Sequence, residues 1–275
     1  MATTDRTRPV HREPPVPGDG PAPSRMPGHW LLARLGKRVL RPGGVELTGW
    51  MLDSLELGGH DRVVELAAGL GATAPLTLAR GPAAFAAVAR PGALAAPGPT
   101  EVCAVRADAA DTGLPAGSAD VVYGEAVLTM QPYPAKRRVV REARRLLDGV
   151  GGRYALHEMC LLPDGLDADA ADRIAADLRE AVHVGTRPLT PAGWSELLAV
   201  EGFTVTARRT VPMALLQPRR LVADEGLVRA LGIAGRALRD PASRRRVMHM
   251  RRVFRRHRAH LGAISLVAVP TPSQP

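Results

Sequence analysis

The sequence predicts an α/β fold built on a parallel sheet. Three observations carry that expectation. Short apolar runs, each the length of a buried strand, alternate with segments of helical periodicity. A small-residue loop with two glycines directly follows the first of these runs and opens a helix. The 275 residues are 45% hydrophobic, enough for a sizeable core in one domain. Aromatics contribute only 3%, so that core must be built from Ala, Leu and Val.

Residues 1–27 carry Pro9, Pro14, Pro15, Pro17, Pro21, Pro23 and Pro27 among charges and glycines, a composition that predicts a disordered tail. The folded domain is expected over 28–275. Within it, 28–58 reads as two short helices, HWLLARLGKRVL and VELTGWMLDSLEL, broken by Pro42, Gly43 and Gly44. A core follows over 59–212. DRVVEL is a buried strand and GATAPLTLAR a helix, then PAAFAAVA, EVCAVRA and ADVVYG read as strands. Residues 134–148 place Val139, Val140, Ala143, Leu146 and Leu147 on one helical face. RYALHEM is a strand, and a helix follows near 169–184. Another helix opens at Thr190-Pro191, a cap with proline in the first turn, and stops at Gly202 before the strand FTVTARRTV. Two helices are expected over 213–260, one bearing Leu227, Leu231, Ala234 and Leu238 and one across 242–260. LGAISLVAV, 261–269, is the last strand.

The net charge is +10, which suits nucleic acid, an anionic substrate, a membrane surface or simply a solvated basic face. Cys103 and Cys160 match no metal or redox spacing, and no metal is expected. No run approaches the roughly 18 apolar residues of a membrane span, and the N-terminus lacks an apolar signal region. A cytoplasmic protein with no membrane partner is the expectation.

The loop in VVELAAGLGATAP, Val63 to Pro75, brings backbone close to a ligand. Gly69 to Ala74 fits the loose dinucleotide pattern G-x-G-x-x-G/A. A dinucleotide site wants an acid about 20 residues on. Ala89 and Arg90 stand there, and an arginine would suit the 2′-phosphate of NADP, so an NADP-binding oxidoreductase is one reading. Against it, Glu65 at the strand end would repel a pyrophosphate and suits a cation. No Tyr-x-x-x-Lys hydride-site pair accompanies the turn. Asp108 and Asp120 flank the next strands, and about 60 residues precede the turn.

These residues resemble the class I S-adenosylmethionine-dependent methyltransferases of small-molecule type. The acid and glycine turn correspond to Glu65-Leu66-Ala67-Ala68-Gly69-Leu70-Gly71, and the D-A pair after strand three to Asp108-Ala109. LPAGSADVVYGEAVLTM and LLDGVGGRYALHE match the segments leading through strands four and five. The resemblance covers roughly 59–158 and the two last strands. It implies a Rossmann-like, mostly parallel seven-stranded sheet with helices on both faces. The cofactor would be S-adenosyl-L-methionine, held by Glu65 at its amino group, by backbone at Ala67, Gly69 and Gly71, and by Asp108 and Ala109 at adenine. Arg41, in the N-terminal RPGG turn, would meet its carboxylate, beside helices carrying His29 and Trp30. The family's ribose-binding acid is missing, replaced by Ala89 and Arg90. That departure makes a degenerate, binding-only copy a further reading.

Ligands of parallel sheets lie beyond the carboxyl ends of the strands. Tyr123, Glu125 and Met130 after strand four, and His157 and Glu158 after strand five, are therefore the candidates to meet a methyl acceptor. His157, then Glu125, is the expected base for an acceptor that must lose a proton. The family joins its last two strands by a short hairpin, so the helices at 213–260 should form a cap insertion over the site. The second of them holds Arg244, Arg245, Arg246, Arg251, Arg252, Arg255, Arg256 and Arg258 with no acid from Ser243 to Leu261. It allows an anionic small-molecule substrate. Few aromatics exist to stack bases, and Gln131-Pro132-Tyr133-Pro134 only faintly echoes an N-P-P-Y motif, so RNA ranks lower.

Overall fold

The structure, a computed structural model, describes residues 22–90, 102–147 and 151–272. The expected tail through residue 21 lies outside the described residues. Residues 22–27 are not a free tail. Met26 is fully buried, and Arg246 donates to the carbonyls of Pro23, Ser24 and Met26. The arginine supplies the partners that proline-rich backbone cannot find in a regular element.

Seven strands form one sheet in the order β3-β2-β1-β4-β5-β7-β6. They are β1 (Arg62–Leu66), β2 (Ala84–Ala89), β3 (Val102–Arg106), β4 (Val121–Glu125), β5 (Arg153–Leu161), β6 (Phe203–Pro212) and β7 (Leu261–Pro270). β1 to β5 pair in parallel, and β7 runs antiparallel to both β5 and β6. β6 therefore points the same way as β5, and its carboxyl end lies at the same rim as those of β1 and β4. The central strands are apolar on both faces because helices cover both. After the buried Phe203, β6 alternates exposed and half-buried residues and carries Arg208 and Arg209, which suits an edge.

One face packs against α4 (Tyr133–Leu146) and α6 (Pro191–Val200) through Val139, Val140, Ala143, Leu146, Trp194 and Leu197. The expected helical stripe is the buried one. Thr190 caps α6 by accepting from the Gly193 N–H at 3.1 Å. The other face packs against α2 (Gly44–Ser54) and α3 (Ala74–Leu78) through Met51, Leu52 and Ala74.

A third cluster stands beyond the sheet's carboxyl rim. It joins α1 (Gly28–Arg34), α5 (Ala168–Val182) and the insertion after β6 by way of Leu31, Ile174, Leu178, Met250 and Val253. That insertion holds three helices among the described residues, not the two expected: α7 (Pro218–Glu225), α8 (Leu227–Arg239) and α9 (Pro241–Arg256). α7 escapes a periodicity reading because none of its residues is fully buried. α8 turns Ala230 and Ile233 inward. The leucine stripe seen in its sequence faces outward, where Leu227, Leu231 and Leu238 are 61%, 64% and 63% exposed.

Candidate active site

The chain leaves β1 at Leu66 and turns sharply. Ala67, Gly69 and Gly71 all take positive φ, at 56°, 55° and 67°. Glycine adopts that conformation freely, whereas an alanine side chain meets the neighbouring carbonyl there. The bend points Glu65 and the turn's backbone into a cavity of about 370 Å³ at the carboxyl rim, a size ordinary for small-molecule sites.

Of the residues expected to bind or act, Arg41, Glu65, Ala67, Gly69, Asp108, Ala109 and Glu125 line this cavity. Gly71 shapes the turn from behind, its N–H donating to the Ala68 carbonyl. His157 does not reach the cavity. Its ring is 0% exposed and both nitrogens are engaged. The Gly43 N–H donates to Nε2 at 3.0 Å, so Nδ1 carries the proton and donates to Glu125 Oε1 at 2.8 Å. A side chain at Gly43 would lie 2.8 Å from Nε2, so the contact requires glycine. The expectation of His157 as the base is corrected by this geometry: its lone pair is already spent on a backbone amide. Glu158 is structural as well. Its carboxylate accepts from the N–H groups of Val127, Leu128 and Thr129 and from the Thr129 hydroxyl, which fixes the loop after β4.

Glu125 is the hub. Oε1 accepts from Thr48 at 2.5 Å as well as from His157, and Oε2 accepts from Arg41 Nη1 at 2.7 Å and Thr73 at 2.6 Å. Burial alone would push its carboxyl up. Arg41 and the donors overcome that and hold it at about 2. Glu125 is thus ionised with both oxygens occupied, which makes it an anchor and a poor base.

Glu65 has the opposite environment. It is 3% exposed, and its Oε2 has no partner among the described residues. Burial first, then the charge of Glu125, push it up to about 8. An uncompensated buried carboxylate oxygen at a cavity wall fits a cationic ligand group. Arg41 spends only Nη1 on Thr48 and Glu125, which leaves the rest of its fork for an anionic one. The two side chains therefore match the two ends of an amino acid.

At the other end, Arg90 clasps Asp108 through Nη2 at 2.7 Å and Nε at 3.1 Å, and the Ala110 N–H holds the second carboxylate oxygen at 2.9 Å. The arginine read as a 2′-phosphate partner thus has a carboxylate on it. Much of the remaining wall is apolar, with Trp30, Met130, Met159, Leu178, Met250 and Phe254, and Arg38, Arg138 and Gln131 also line the cavity. His29 lies among them, and burial holds it near 4, uncharged at neutral pH.

Thr48, Thr73 and Gly43 were not foreseen. Thr73, as the residue that opens α3, was discoverable from its place after the glycine turn. Thr48 and Gly43 carry no signal, because their partners lie far off in sequence. Among the described residues no three His, Cys, Asp or Glu side chains group as a metal site would.

Comparison with known proteins bears on the family and the fold. No protein-family model matches the chain. An uncharacterised protein of Haemophilus influenzae is 32% identical over 249 residues, spanning 86% of this chain and 96% of that one. The chain belongs to the same family as that protein. Solved structures share the fold at low identity. A Haemonchus contortus phosphoethanolamine N-methyltransferase, bound to phosphomonomethylethanolamine and S-adenosylhomocysteine, superposes with a TM-score of 0.65 at 13% identity, over 89% of this chain and 57% of that one. A geranyl diphosphate C-methyltransferase of Streptomyces coelicolor gives 0.57 at 13%, over 82% and 78%. The [4+2]-cyclase SpnF gives 0.58 at 16%, over 83% and 82%. The fold is that of the class I S-adenosylmethionine-dependent methyltransferases.

Proposed function

We propose that the protein binds S-adenosyl-L-methionine and transfers its methyl group to a small, largely apolar acceptor. One observation carries the reading most directly: the orphaned, buried Oε2 of Glu65 opposite the half-used guanidinium of Arg41. A zwitterionic amino acid satisfies both. The small residues Ala67, Gly69 and Ala109 leave room for backbone contacts to the rest of the cofactor. When bound, the cofactor supplies an activated methyl carbon. The protein positions the acceptor and excludes water. Ionised Glu125 keeps Arg41 aimed. His157 positions Glu125, and His29 offers an uncharged ring nitrogen to an acceptor hydroxyl or amine.

The apolar part of the wall supports an acceptor with an apolar body; a charge complement for an anionic group on it would come from Arg38 and Arg138, not from the arginines of 243–261. The α9 residues at the cavity are Met250 and Phe254, and its arginines point elsewhere. Fold neighbours act on small molecules, which fits the cavity's size, and the cyclase among them shows that this fold also serves other chemistry. A binding-only protein is the second reading. It is favoured by Arg90 at the position where the resemblance implies a ribose-binding acid. NADP is disfavoured, because Arg90, the partner its 2′-phosphate would need, is already held by Asp108.

Calorimetric titration with S-adenosylhomocysteine, and in parallel with NADPH, tests the proposal. Micromolar binding of the first and none of the second is expected. Binding of NADPH alone would overturn it. Turnover in a screen of apolar alcohols and amines would then separate the enzyme from the binding-only protein.

A further inference from the structure

The chain's net charge is unevenly placed. Residues 227–260, the α8–α9 hairpin, hold eleven arginines against one acid, Asp240, so this segment alone accounts for a net charge equal to that of the whole chain, +10. Arg244, Arg245, Arg251, Arg252, Arg255 and Arg256 of α9 are exposed. The same hairpin carries the most exposed of the large apolar side chains among the described residues. Val228 is 86% exposed, and the stripe Leu227, Leu231 and Leu238 runs the length of α8 toward solvent. The two features meet. A groove of about 770 Å³ sets Leu238 and Met248 beside Arg244, Arg245, Arg251 and Arg252.

We infer that the outer face of the α8–α9 hairpin docks on an anionic lipid bilayer. Apolar side chains flanked by arginines on one surface-lying helix pair are what the boundary between headgroups and acyl chains selects: the leucines enter the boundary and the guanidinium groups meet lipid phosphates. A second copy of the chain fits less well. A two-fold contact through this face would set the arginine-rich surfaces of both copies against each other. Nucleic acid fits the charge but gives the leucine stripe nothing to bury against, and the stripe offers no aromatic ring for stacking. The expectation of no membrane partner rested on the absence of a spanning segment. No helix of the described residues is long and apolar enough to cross a membrane, and a hairpin lying on the surface needs none.

The test is co-sedimentation of the full-length protein with vesicles of phosphatidylglycerol and phosphatidylcholine, against vesicles of phosphatidylcholine alone. Binding to the anionic vesicles, weakened by salt, is expected. R251S/R252S should weaken it by roughly fivefold per arginine. V228S/L231S should weaken it roughly tenfold or more. Both pairs replace exposed side chains, and unchanged thermal unfolding would confirm that the fold is intact. The inference fails if anionic vesicles are not bound, or if V228S/L231S bind as well as the parent. It also fails if the protein captures poly(U) but not vesicles. A dimer in sedimentation velocity that L231S abolishes would assign the face to a second copy instead. None of these results depends on methyl transfer.

Discussion

Glu65 and Glu125 share one buried site and are driven apart by their neighbours. Arg41 and three further donors keep Glu125 ionised at about 2, while Glu65, with a bare oxygen, titrates at about 8. Between the ordinary value of 4.5 and about 8, the native protein keeps a proton on Glu65 that the unfolded chain has given up. Stability should therefore fall as pH rises through that window. E65Q should erase the slope. It should match the parent near pH 4 and exceed it at pH 8 by about 2–4 kcal/mol, read by urea unfolding at both values. Binding should respond in the opposite sense. A cationic ligand group needs the carboxylate, so affinity for S-adenosylhomocysteine should climb about tenfold per unit from pH 6 to 8. E65Q should flatten that climb and weaken binding by about 1.5–3 kcal/mol. The neighbouring turn stores strain as well. Ala67 sits at φ 56°, where an L-residue costs about 1–2 kcal/mol, partly offset by the extra freedom glycine has when unfolded. A67G should raise stability by about 0.5–1 kcal/mol, seen as a thermal midpoint about 2 °C higher.

The segment between α1 and α2 acts as a strap over the cavity, tied on two sides. Beneath it, Arg41 meets Glu125, and the Gly43 N–H meets His157. Above it, Glu225 at the end of α7 accepts from the N–H groups of Arg38 and Val39 at 2.7 and 2.8 Å, and Asp224 accepts from the Val45 N–H at 3.1 Å. The buried ammonium of Lys37 lies 3.8 Å from Glu225 and 3.9 Å from Asp224. The strap thus couples the inserted helices to the strand ends. R41A should leave a buried carboxylate uncompensated and cost about 3 kcal/mol. It should also speed tryptic cleavage after Arg38 before global unfolding. Adding E125Q removes the stranded charge, so R41A/E125Q should recover most of that loss in the same unfolding assay.

Across the whole molecule, what was legible in the sequence is what is local. The central strands announce themselves by short apolar runs and β6 by alternation, and the glycine turn after β1 places Glu65 because strand, turn and helix are contiguous. What was not legible depends on chain segments far apart. Glu125, His157, Arg41 and Thr48 form one network from four separate segments, and only their meeting shows that His157 is spent on Gly43. Periodicity located the leucine stripe of α8 but not its direction, since a repeat defines a face without saying which side of the helix the core lies on. Arg90 was noticed, and Asp108 as its partner was not, because that pairing crosses from the end of β2 to the loop after β3.

The position of β7 has a consequence for the order of assembly. It is the last strand of the described residues but an interior strand of the sheet, with Tyr154 of β5 opposite Ala268 and Val205 of β6 opposite the same residue. During synthesis, β5 presents a bare edge and β6 has no neighbour to pair with until residues 261–270 emerge. The arginine-rich hairpin, which precedes β7, must wait with them. Until then both strand edges stay open to pairing with other copies, and the sheet closes only when β7 enters between them.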